Sequence, residues 1–156
     1  MKEYLEQRSP LQDNFLVVYS ELKKQINEVV SQGYDPDKIA RTEAFLTASV
    51  HAYVDYADQF LQEDDRIKAF KYANNSMKHN RKFETFNSTS GGLGFPIHFP
   101  LEIPVIKVRW ASINIEARHA DQKQMYDKLL KGQEVLTTFD PVEEIISNGL
   151  ITKPQS

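Results

Sequence analysis

The sequence predicts a mainly α protein: a helical bundle of about five helices with a long antiparallel pair and a small β-rich insertion at about 83–116. Three observations predict it. Apolar residues recur at helical spacing along residues 11–30 and again along 39–60. Only Gly33 and Tyr34 connect the two helices, and so short a connection makes them antiparallel neighbours. Between 83 and 116 the helical period is lost and glycines and prolines accumulate. A chain of 156 residues, 40% hydrophobic and 26% charged, suits one domain, here 1–156, with a core of its own.

The first helix starts at Ser9-Pro10-Leu11-Gln12, where Ser9 caps, Pro10 takes the first helical position and Gln12 completes a capping box. Its stripe is 11, 15, 18, 19, 22, 26, 29 and 30, and Gly33 ends it. The second helix starts at Asp35-Pro36 and runs to about Gln62, with Ile39, Leu46, Val50, Tyr53, Ala57 and Phe60 inward. Asp64 and Asp65 cap the third helix, whose apolar face is Ile67, Phe70, Ala73 and Met77. Phe83 and Thr85–Asn87 read as a short strand, and residues 88–94 as a loop. Pro96, Pro100 and Pro104 exclude a helix and leave an extended or edge segment, while 105–115 alternates as one or two strands. A fourth helix spans 117–131 with Met125, Leu129 and Leu130 inward and Gly132 as its end. A fifth starts at the box Asp140-Pro141-Val142-Glu143, buries Ile145 and Ile146, and stops at Gly149. The tail beyond Leu150 reads as loose.

Composition narrows the chemistry. No cysteine is present, which removes disulfides, thiolate zinc sites and cysteine nucleophiles. The chain has no apolar signal core and no run that spans a bilayer, so no membrane partner is expected and the cytoplasm is the expected location. His51 and Asp55 share a helix edge, an arrangement a metal pair and a flank hydrogen bond have in common, and no third ligand lies nearby. No metal site and no cofactor are expected. The loop Gly91–Gly94 lacks the spacing and the Lys-Ser/Thr of a phosphate cradle, and no nucleophile elbow is present.

Polar chemistry, basic charge and a histidine converge only at residues 66–82, RIKAFKYANNSMKHNRK. This stretch holds six Lys or Arg and no acid; the rest of the chain has 13 basic against 22 acidic residues, within a net charge of −3. Such a balance argues against nonspecific nucleic-acid binding and permits a focused anion site. Acids before the helix and Lys78, Arg81 and Lys82 at its end also suit the helix dipole, so part of the pattern is structural. On a helix, Asn74 pairs in spacing with Lys78, and Asn75 with His79; Asn74 falls at the edge of the apolar face.

The run Ala69-Phe70-Lys71-Tyr72-Ala73-Asn74-Asn75-Ser76-Met77-Lys78-His79-Asn80 resembles the motif helix of HEPN-like domains, helical bundles that carry Arg, a polar residue and, a few positions on, His. Asn75 matches the polar position and His79 the histidine; Asn74 stands where the arginine would be. The segment from Gly91-Gly92 through Phe95-Pro96 and Phe99–Pro104 to Trp110 looks like the β insertion of some bacterial members. The resemblance implies an RNA-interacting protein, active or degenerate as a metal-independent endoribonuclease of a toxin or defence system, working as a homodimer. There the ribose 2′-hydroxyl attacks the adjacent phosphate, His79 moves protons, Asn74 and Asn75 orient, and Lys71, Lys78, Arg81 and Lys82 meet RNA. A protein partner such as an antitoxin is also implied. The alternative is a noncatalytic helical module that dimerises and binds a protein partner; a third reading is a small-molecule pocket between bundle and insertion, walled by the chain's seven Tyr, nine Phe and one Trp.

Overall fold

A computed structural model describes residues 9–32, 35–79, 85–89, 106–113 and 120–153, the side chains of 77–79, 85–89 and 106 excepted. The elements in chain order are α1 (Pro10–Gln32), α2 (Pro36–Phe60), α3 (Asp65–His79), β1 (Thr85–Thr89), β2 (Ile106–Trp110), α4 (Ala120–Leu129) and α5 (Val135–Ser147). The fold is a mainly α bundle. The long pair α1 and α2 packs along its length, α3 lies against α2 and α4, and α5 packs on α1. The two strands form an antiparallel pair with Thr85 opposite Trp110 and Thr89 opposite Ile106.

The helix starts are local in origin. Ser9 Oγ accepts from the Gln12 amide at 3.2 Å, Asp35 Oδ1 from the Asp37 amide at 2.9 Å, and Asp64 Oδ1 from the Ile67 amide at 2.8 Å. Each satisfies a first-turn N–H that the helix cannot. Asp64→Ala is therefore expected to cost about 1 kcal/mol, read as a lower urea midpoint at unchanged slope. Gly132 and Gly149 close α4 and α5 at φ +78° and +61°, a region that residues with a Cβ rarely enter.

The core is aromatic. The Phe70 ring meets Tyr53, Phe139 and Trp110 edge-on, with centroids at 4.9, 5.1 and 5.6 Å. Trp110 is fixed by its indole N–H, which donates to Thr138 Oγ1 at 2.8 Å. Its backbone is held too: the Trp110 amide donates to Gln133 O and its carbonyl accepts from Gly132, both at 3.0 Å. The turn between α4 and α5 thus pairs with β2 on the side away from β1. Tyr126 and Tyr72 tie the residues after β2 to α4 and α3, donating to Ala111 O at 2.5 Å and Ile113 O at 3.2 Å.

Several sequence expectations are corrected. Asp140-Pro141 does not start the last helix: α5 begins at Val135 and carries Pro141 inside it. Proline removes a helical hydrogen bond and crowds the preceding turn, at about 3 kcal/mol, but Val135, Phe139, Val142 and Ile146 form a buried stripe that only the longer helix satisfies. Gln12 does not complete a capping box; its Nε2 donates to Ile146 O at 2.7 Å and joins α1 to the end of α5. Val30 is exposed, so the α1 stripe stops at Val29. Helix α2 ends at Phe60, where Leu61 turns extended.

The start of the tail is not loose. The Thr152 and Lys153 amides both donate to Phe60 O, at 2.8 and 3.1 Å. The Gln62 amide donates to Thr152 Oγ1 and the Tyr56 hydroxyl to Leu150 O. Residues 150–153 thereby satisfy the C-terminal end of α2, a need that no local pattern in the tail announces. The fourth helix is described from Ala120, and its most buried ring, Tyr126, is one the inward set Met125, Leu129 and Leu130 missed. The expected loop 88–94 starts later, because Ser88 and Thr89 belong to β1 and pair with Lys107 and Ile106; the expected Gly33 stop, the Phe83 strand start, residues 90–94 and the three prolines lie outside the described residues.

Candidate functional site on the third helix

Helix α3 is a continuous helix through His79, so positions 75 and 79 lie one turn apart. Its inner face is Ile67, Ala69, Phe70, Tyr72 and Ala73, all buried. The two asparagines divide across its edge. Asn74 is 5% exposed and belongs to the core boundary, whereas Asn75 is exposed. Ser76 is buried and spends its hydroxyl within the helix, donating to Tyr72 O at 2.9 Å.

Two of the three basic residues of the N-terminal half, Lys71 and Lys68, are engaged by acids. Lys71 Nζ lies 3.0 Å from Asp58 and 3.1 Å from Glu63, with its side chain only a quarter exposed. Burial pulls its pKa down, but the hydrogen bonds it donates to Asp58 and Glu63, with their charge, outweigh this and leave it raised. Lys68 lies 3.6 Å from Asp121 on α4. These pairs fasten α3 to the end of α2 and to α4, so the Lys71 charge expected to meet RNA is shared with two carboxylates. The side chains of Lys78 and His79, and residues Arg81 and Lys82, lie outside the described residues.

Sequence reasoning thus placed Asn74 at the core edge by helical phase alone. It missed the two partners of Lys71. Asp58 and Glu63 precede it by 13 and 8 residues, and only the turn at 61–64 folds them back onto α3. His51 and Asp55 form an exposed i,i+4 pair at 3.2 Å. Among the described residues no group of three or more His, Asp or Glu could hold a metal, and no helix is long and apolar enough to cross a membrane. No family model, no curated protein and no solved structure matches the chain.

Proposed function

We propose that this chain is a HEPN-like RNA-interacting protein whose motif helix is α3, with RNA held at the C-terminal end of that helix. The observation that carries the proposal is the division of the asparagines: Asn75 is presented to solvent one turn before His79 on an unbroken helix, in the stretch of sequence where Lys78, Arg81 and Lys82 concentrate basic charge. The buried Asn74, in the arginine position, contributes no cation to a phosphate. Lys71 is already shared between two carboxylates. Both facts favour the degenerate form of the motif, in which cleavage is slow or lost and RNA is bound.

A second reading, the noncatalytic protein-binding module, draws support from the same two facts and from Val17, an apolar side chain 65% exposed on the outer face of α1. Cleavage of single-stranded RNA in EDTA separates the catalytic from the binding form. If the motif acts, wild type cuts and His79→Ala, folded equally by circular dichroism, loses on the order of a hundredfold in rate, as for removal of a general acid or base. If the two proteins cut alike, His79 has no catalytic part.

A further inference from the structure

At the opposite end of α3 an open cleft of about 450 Å³ lies between the first turn of α3, the end of α4 and the middle of α5. Its accessible apolar lining is Leu129 and Pro141, both half-buried, backed by the buried Phe70 and Leu130; its polar groups are Asp64, Asp65, Arg66 and Thr138. The size falls within the roughly 300–1,000 Å³ of small-molecule sites. The wall is rigid, because Phe70 is wedged by three rings. The cleft is lined by residues of α3, α4 and α5 and by Asp64 and Leu130 beside them, and about 20 Å of helix separates Arg66 from His79.

The polar groups can be sorted by what they have left to give. Asp64 is committed through Oδ1 to the Ile67 amide. Thr138 Oγ1 donates to Val135 O at 2.7 Å and accepts from Trp110 Nε1, so it offers a ligand one acceptor lone pair and no donor. Asp65 is an exposed carboxylate, an acceptor only. Arg66 is the one charged donor among the cleft's lining residues. The rim therefore presents acceptors suited to an ammonium and a guanidinium suited to a carboxylate, above an apolar wall.

We propose that this cleft binds a zwitterionic amino acid with a large apolar side chain, its ammonium on Asp65 and Thr138, its carboxylate on Arg66, and its side chain against Leu129 and Pro141. A simple amine would leave Arg66 without a partner over the cleft, and a simple acid would face the two aspartates. Both halves of the charge are needed to match the rim.

The test is calorimetric titration of the full chain with L-phenylalanine, phenethylamine and 3-phenylpropanoate. Phenylalanine is expected to bind saturably at one site, and each half-charged relative to bind about tenfold more weakly, the worth of one charge-assisted hydrogen bond. Asp65→Asn and Arg66→Gln should each weaken phenylalanine by a similar factor, and Arg66→Gln should leave phenethylamine unchanged. Asp65→Asn keeps size, Arg66→Gln shortens the side chain, and both positions fall outside the core, so their melting curves should match wild type. Absence of saturable heat with phenylalanine, equal affinity for phenethylamine, or well-folded variants that bind as wild type would each overturn the proposal.

Discussion

Phe70→Ala is expected to lower the stability of the fold by about 3–5 kcal/mol. The ring is fully buried and makes edge contacts with residues from α2, β2 and α5 at once. Removing it costs the transfer of the ring from water and leaves a cavity whose walls cannot collapse. Tyr53 is fixed on a 25-residue helix, Trp110 is held by its indole and both backbone groups, and Phe139 packs in a tilted arrangement against Tyr19 and Phe15. At about 2–4 °C per kcal/mol for a chain of this size, the melting temperature should fall by about 6 °C at the least. A fall of about 2 °C or less would mean that the ring does not sit at the centre of the core.

The second large effect is alkaline. Burial pushes the phenols of Tyr19, Tyr53 and Tyr126 well above the ordinary value of 10.0. Nearby acids push the same way: Glu143 and Asp140 at Tyr19, Asp64 at Tyr53, and Asp127 at Tyr126, which also feels Tyr72; Arg66 opposes at Tyr53. Above pH 10 the unfolded chain therefore loses protons that the folded chain keeps, and stability falls as pH rises. Each such phenol contributes about 1.4 kcal/mol per pH unit, so the three together should remove about 4 kcal/mol by pH 11. Lys71, whose pKa is also raised in the fold, adds a loss of the same sign. Urea midpoints measured from pH 9 to 11 should drop steeply, and tyrosinate absorbance should rise with unfolding. Midpoints that stay flat, or native protein whose buried phenols titrate near 10, would contradict this burial.

The parts of the fold that were legible in the sequence are those in which cause and effect are close along the chain. Ser9, Asp35 and Asp64 cap helices that begin one residue later, and the acceptor and the amide it satisfies lie two or three residues apart. The burial of Asn74 followed from helical phase, because Ile67, Phe70 and Ala73 fix which side of α3 is inward. What was not legible depends on distant partners. Pro141 has the local signature of a helix start, and the four-residue stripe from Val135 to Ile146 overrides it only because α1 and Phe70 are there to receive it. The tail has no apolar run or turn signal; its order comes from the carbonyl of Phe60, some ninety residues away. Lys71 looked like a surface cation until the turn at 61–64 brought two carboxylates to it. The same turn places Arg66 and Asp65 over the cleft, where the abrupt change of charge sign at 63–66 was the only trace.

The most direct test of the account is the salt dependence of single-stranded RNA binding, followed by fluorescence anisotropy, for wild type and for a variant with Lys78, Arg81 and Lys82 all changed to Gln. Phosphate contacts release counterions, and three of them on a single strand give a slope of about −2 in log affinity against log salt. The account predicts a slope near that value for wild type, and weak binding with a slope near zero for the variant. RNA binding that is insensitive to salt, binding unchanged in the variant, or no binding at all would contradict an RNA site at this end of α3.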